Sequence, residues 1–87
     1  MKYKINPQLA FRKIGKETFI VDTKNSYLHK LNEVGSLIWD CMKLGLSEKK
    51  IIEKILENFD VEYDTAKKDL KEFIEELKEK NIIVNDE

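Results

Sequence analysis

Histidine, cysteine, proline and tryptophan each occur once in these 87 residues, and glycine only three times. Each scarcity removes a class of function. With Cys41 alone, no internal disulfide can form, and a reducing compartment is expected. With His29 alone, a Ser-His-Asp or Cys-His arrangement would rest on one residue that has neither serine nor cysteine beside it in sequence. One histidine and one cysteine cannot complete a closed zinc site. Gly15, Gly35 and Gly45 are too scattered to build a phosphate-cradling loop. No metal and no cofactor is therefore expected. Long apolar runs are missing too: nothing approaches the roughly 20 residues that span a bilayer. The opening Met1-Lys2-Tyr3-Lys4 leads into no signal-peptide core. A cytoplasmic protein without membrane contact is expected.

What is abundant is charge and aliphatic surface. Hydrophobic residues make up 41% and charged residues 38%, a globular and not a disordered composition. The length predicts a single domain over residues 1–87. A chain of this size buries only about 60–65% of its unfolded surface, so a surface groove is easier to build than a walled catalytic cleft. The formal charge of −1 is unevenly divided. Residues 1–31 carry seven Lys or Arg against Glu17 and Asp22, a net +5, which leaves −6 for the remainder. A basic front end favours an acidic partner segment, and reads equally as solvated surface lysine.

The local pattern is that of three strands followed by three helices. Pro7 closes a polar lead, and Leu9, Phe11 and Ile14 follow in an extended stretch whose alternation slips, as at a bulge or a strand end. Gly15-Lys16 makes a tight hairpin connection. Glu17–Thr23, rich in β-branched and aromatic residues, is the clearest strand. Lys24-Asn25-Ser26 is a turn, and Tyr27–Leu31 a third short strand, giving an antiparallel meander. Asn32 is a good N-cap for a helix through Val34, Leu37, Ile38, Cys41 and Met42, which Gly45 ends. Ser47 caps a second helix whose stripe is Ile51, Ile52, Ile55, Leu56 and Phe59. Asp64 or Thr65 caps a third, with Ala66, Leu70, Phe73, Ile74 and Leu77 as its stripe. It ends near Asn81, and Ile82-Ile83-Val84 adds either a small strand or a packed tail.

This pattern favours interaction over catalysis. Cys41 lies in an apolar stripe, as a structural thiol does. Acidic neighbours such as Glu75-Glu76 point different ways and read as a solvated face. A winged-helix DNA reader would use the third helix, where Lys67, Lys68, Lys71, Lys78 and Lys80 are cancelled by Asp69, Glu72, Glu75, Glu76 and Glu79. That helix has no Arg, Asn or Gln for base contacts between Thr65 and Lys80, and the pI is near 5.9, so nucleic acid is not the expected partner. A three-stranded sheet, however, ends in two edges, and an edge is a template for another strand. Tyr27–Leu31 is the candidate edge. It reads equally as a docking site or as a short strand guarded by Lys30.

The segment Tyr27-Leu28-His29-Lys30-Leu31-Asn32-Glu33-Val34-Gly35-Ser36-Leu37-Ile38-Trp39 resembles the PqqD-like family, which carries Leu-Asn…Gly…Ile-Trp where the third strand meets the first helix. Asp69-Leu70…Phe73-Ile74…Leu77, then Lys80-Asn81-Ile82-Ile83, is similar to the family's third helix and apolar tail, and Phe19-Ile20-Val21 to its second strand. Each motif alone is ordinary; their order and spacing over about Leu9 to Val84 are the specific part. Lys43-Leu44-Gly45-Leu46 departs from the charged Asp-Gly turn of many relatives. The resemblance implies an α+β, winged-helix-like fold, a three-stranded antiparallel sheet followed by a three-helix bundle. It implies a non-catalytic, chaperone-like role: capture of a precursor's leader peptide for a modifying enzyme, often a radical S-adenosylmethionine enzyme, in natural-product biosynthesis. The leader would add to Ser26, Tyr27, Leu28, His29, Lys30 and Leu31. The third helix offers two flanks. Lys67, Lys71, Ile74 and Lys78 form one, favoured because Ile74 can line an apolar pocket and the lysines can meet leader acids; Asp69, Glu76 and Lys80 form the other. The alternatives are a winged-helix nucleic-acid binder, or a subunit stabilising a partner enzyme through an exposed apolar patch near Ile82–Val84.

Overall fold

The computed structural model describes residues 3–24 and 26–85. Strand β1 (Tyr3–Ile5) is followed by β2 (Leu9–Ile14), β3 (Glu17–Asp22) and β4 (Tyr27–Leu31). Helices α1 (Glu33–Lys43), α2 (Glu48–Asn58) and α3 (Tyr63–Glu79) come next, and β5 (Ile83–Asn85) closes the order. The fold is α+β: a three-stranded antiparallel sheet, β2-β3-β4, followed by three helices. A second, two-stranded sheet joins β1 to β5 antiparallel, with Tyr3 opposite Asn85 and Ile5 opposite Ile83.

The β2–β3 register runs unbroken from Leu9↔Asp22 to Ile14↔Glu17, so of the two readings of the slip the bulge is absent and Ile14 is the strand's last residue. The slipped alternation has another cause. Lys13 occupies a helix-facing position because its ammonium pairs with the Asp40 carboxylate of α1. One face of the sheet, with Phe11, Thr18, Ile20 and Leu31, meets the helices; Phe11 stands edge-on to Trp39 at 5.6 Å. The other face carries Val21, Leu28 and Ile14, all exposed.

Side-chain caps start the first two helices. Asn32 Oδ1 accepts the Gly35 N–H at 2.8 Å, and Ser47 Oγ accepts the Lys50 N–H at 3.3 Å. Helix α3 begins earlier than expected, at Tyr63, with Glu62 at the N-cap and no side-chain bond, so neither Asp64 nor Thr65 caps it. Helices α1 and α3 end alike. Gly45 (φ +73°) and Asn81 (φ +57°) adopt the left-handed conformation. The following residue then donates back to the helix, Leu46 N–H to Cys41 C=O at 3.1 Å and Ile82 N–H to Leu77 C=O at 2.9 Å.

Helix α2 packs against both α1 and α3. Ile51, Ile52 and Ile55 bury its stripe, while Leu56 lies on the solvent side. Residues after α3 turn inward: Ile82 and Ile83 are 1% and 2% exposed, so the apolar patch expected there does not exist as surface. The pairing with β1 covers it, helped by Asn6, whose N–H donates to the Ile82 C=O at 3.0 Å and whose Nδ2 donates to the Asn81 C=O at 2.9 Å. Among the described residues, no helix is long and apolar enough to cross a membrane.

Candidate functional site

In the order β2-β3-β4, β4 has a neighbour on one side only among the described residues. Which of its backbone groups are free follows from the register. A two-residue hairpin closes on a hydrogen-bonded pair, here Ile14↔Glu17, and antiparallel partners alternate thereafter. Glu17, Phe19 and Val21 thus bond to β2, while Thr18, Ile20 and Asp22 turn toward Leu31, His29 and Tyr27. The N–H and C=O groups of Leu28 and Lys30 then point out of the sheet, along the open edge.

Helix α3 runs beside that edge. Between them lies a groove of about 370 Å³, lined by Leu28 to Asn32 and by Phe73, Glu76, Leu77, Lys80 and Ile82. It continues into a hollow of about 360 Å³ that shares Asn32, Phe73 and Glu76 and adds Val34, Gly35, Ile38, Asp69 and Glu72. The junction depends on Gly35. A Cβ there would stand 3.1 Å from Phe73 Cε1 and 3.3 Å from Asn32 Oδ1. With no side chain at position 35, the Phe73 ring lies against the first turn of α1 and floors the groove; a methyl there would push it away by a few tenths of an ångström.

The rim is charged and largely paired. Lys30 Nζ meets Glu17 Oε2 at 3.0 Å on the outer face, and Lys80 Nζ meets Glu76 Oε1 at 2.7 Å. His29, half-buried, stacks on Tyr27 at 5.9 Å. The chemistry on offer is main-chain hydrogen bonding along one side, an apolar floor and a polar rim.

The structure separates residues that sequence reasoning grouped together. Tyr27 to Leu31 form the edge strand, with Ser26 (φ +58°) in the turn before it; Asn25 lies outside the described residues. Lys67, Lys71, Ile74 and Lys78 do not face this strand. They line a different groove, of about 420 Å³, with Tyr3, Glu48 and Ile52, and Lys78 Nζ sits 4.5 Å from the Tyr3 ring centroid. Leu70, Ile74 and Leu77 must point into the core, and that fixes the rotation of α3. At 100° per residue the side turned to β4 is then Asp69, Phe73, Glu76 and Lys80. The favoured flank is corrected accordingly. Phe73, assigned to the core stripe from sequence, is the groove's floor.

Cys41 is buried in α1. Burial, first, and the neighbouring Asp40 charge hold its thiol above the ordinary pKa, with Lys54 acting in the opposite direction. Among the described residues, no three His, Cys, Asp or Glu side chains cluster closely enough to hold a metal ion.

A sheet of three antiparallel strands, open at β4 and followed by three helices, defines the architectural class. The sequence profile of the family described as coenzyme PQQ synthesis protein D (PqqD) matches residues 17–83, and the chain belongs to that family. No curated protein matches the sequence at a significant level. Two solved structures are similar over nearly their whole length. One, TbiB1 in complex with the TbiA(beta) leader peptide, superposes with a TM-score of 0.84 at 25% identity, covering 92% of this chain and 93% of that one. The other, a lasso peptide synthetase B1 complexed with the leader peptide, gives 0.89 at 18% identity, covering 97% and 99%, and shows the shared fold.

Proposed function

We propose that this protein is a stand-alone, non-catalytic recognition element that captures the leader segment of a ribosomally made precursor peptide. The leader adds to β4 as a fourth strand. The observation that carries this reading is the open β4 edge running beside α3 over an apolar floor. Strand addition takes affinity from main-chain bonds and selectivity from side-chain pockets, and both elements are in place. Leu28 and Lys30 supply the main-chain groups; Phe73 and Leu77 supply the floor. That TbiB1 was solved with a leader peptide supports the reading by family relationship.

The remaining expectations belong to the same proposal: one domain, a cytoplasmic setting, and a modifying enzyme, a radical S-adenosylmethionine enzyme among the candidates, as the receiving partner. Nucleic-acid binding finds no support in α3, whose charges between Thr65 and Lys80 cancel.

The test is an NMR titration of labelled protein with leader peptides from precursor genes adjacent to its own. Amide shifts concentrated in residues 26–31 and around Phe73–Lys80 support the proposal. Absence of shifts with every such leader, together with shifts on adding duplex DNA, overturns it.

A further inference from the structure

The basic surplus of residues 1–31 favours an acidic partner, but one end of the groove has the opposite character. Its α1 end, the hollow flanked by Val34, Gly35 and Ile38, is lined by three carboxylates, Asp69, Glu72 and Glu76, and by no cationic side chain. Glu76 is shared with Lys80, and Glu72 meets Lys68 only at 4.0 Å. The Asp69 carboxylate has no ion pair or hydrogen bond among the described residues. Lys67, Lys71 and Lys78 stand on the far side of α3. Lys30 is engaged with Glu17 on the outer sheet face.

We propose that the peptide taken up along β4 carries a lysine or arginine immediately N-terminal to its strand-forming segment, and that Asp69, with Glu72 and Glu76, selects for it. This rests on leader capture at β4, and deepens that reading. Antiparallel addition, the more stable pairing, sets the peptide's N-terminal part beside Leu31 and Asn32, where the groove opens into the carboxylate-lined hollow. A long cationic side chain entering there lays its aliphatic stem over Val34 and the Phe73 ring and presents its charge to Asp69. The first turn of α1 brings a positive helix end to the same hollow, but Asn32 Oδ1 already accepts one of its N–H groups and Glu33 stands in that turn. The carboxylates of α3 therefore dominate the local charge. Selection here operates by charge sign, because an acidic residue at the same position would meet the unpaired Asp69 carboxylate, with Glu72 and Glu76 beside it.

The experiment uses the full chain and a fluorescein-labelled leader peptide from the adjacent precursor gene, read by anisotropy at low and high salt. Asp69→Lys, an exposed position on α3, is expected to weaken binding about fivefold to tenfold at low salt, as for reversal of one partly exposed ion pair. The loss should shrink in high salt. Changing the peptide's Lys or Arg to Glu should restore affinity for the D69K protein and reduce it for the wild type. NMR shifts at residues 26–31 report leader capture separately. If those shifts persist while D69K binds equally well or more tightly, or if captured leaders hold no cation before the strand segment, the charge selection is wrong and leader capture stands. If no leader shifts the β4 amides, both fail.

Discussion

Alternation along β4 makes a sharp prediction for proline. The N–H groups of Leu28 and Lys30 face the open edge, whereas that of His29 bonds across to Ile20 on β3. Leu28→Pro therefore removes a donor that is unused in the free protein, at a position where edge strands tolerate proline. It should leave the fold in place and weaken leader binding by the worth of one main-chain hydrogen bond, about 0.5–1.5 kcal/mol, or roughly twofold to twelvefold in Kd. Lys30→Pro should do the same to binding. It also breaks the Lys30–Glu17 ion pair, an exposed contact worth about 0.2–1 kcal/mol of stability. His29→Pro acts on the other side of the strand. It breaks a ladder bond inside the sheet and strands an acceptor on β3, costing about 1–3 kcal/mol of folding stability. The assay pairs anisotropy titration of the leader with urea unfolding for all three variants. Loss of binding at 28 and 30 with loss of stability at 29 is the expected pattern. If Leu28→Pro and Lys30→Pro stay folded and bind the leader as tightly as wild type, peptide addition at this edge is refuted.

Three other changes test the surroundings of the groove. Gly35→Ala gains about 1 kcal/mol of helix propensity and sets a methyl 3.1 Å from the Phe73 ring; folding stability should move by less than about 1 kcal/mol, while leader affinity falls as the ring is pushed into the groove, measured by denaturation and titration. Thr18 is buried, and its Oγ1 has no hydrogen-bond partner among the described residues. Thr18→Val should therefore stabilise by about 1 kcal/mol and raise Tm by about 4–8 °C in a thermal melt. Cys41, whose thiol is held above its ordinary pKa by burial and Asp40, contributes stability that is complete below the ordinary thiol value and lost as pH rises through the raised one. Urea unfolding should thus show a decline at alkaline pH that Cys41→Ala removes, and native Cys41 should alkylate more slowly than the unfolded chain.

Local signals in this sequence are strong where local physics decides the outcome. The caps Asn32 and Ser47, the stop at Gly45, the hairpin at Gly15-Lys16 and most of the three apolar helix stripes depend on neighbours within a turn or two and stand where the sequence placed them, Leu56 on the solvent side and Phe73 at the groove being the exceptions. The unequal cases involve distant partners. Strand β1 is three residues long, too short for any periodic signal, and forms because Tyr3 finds Asn85 at the other end of the chain. The same pairing hides Ile82 and Ile83, which the sequence alone allows to be surface. The slip between Phe11 and Ile14 looked like a bulge because Lys13 sits on the helix-facing side for the sake of Asp40, 27 residues away.

The candidate site divides along the same line. From the sequence alone came the family resemblance, the three-strand, three-helix order, and Tyr27–Leu31 as an edge, since strand order in a meander follows from short connections. The flank of α3 that meets the edge was decided only in three dimensions. Both flanks are equally helical and both are charged, with opposite sign, and the choice rests on how far α3 is rotated about its axis. That rotation is set by Leu70, Ile74 and Leu77 packing inward and by a glycine on another helix that admits Phe73. Helical periodicity gives the relative phase of residues on one element; the absolute direction of each face comes from the elements packed against it.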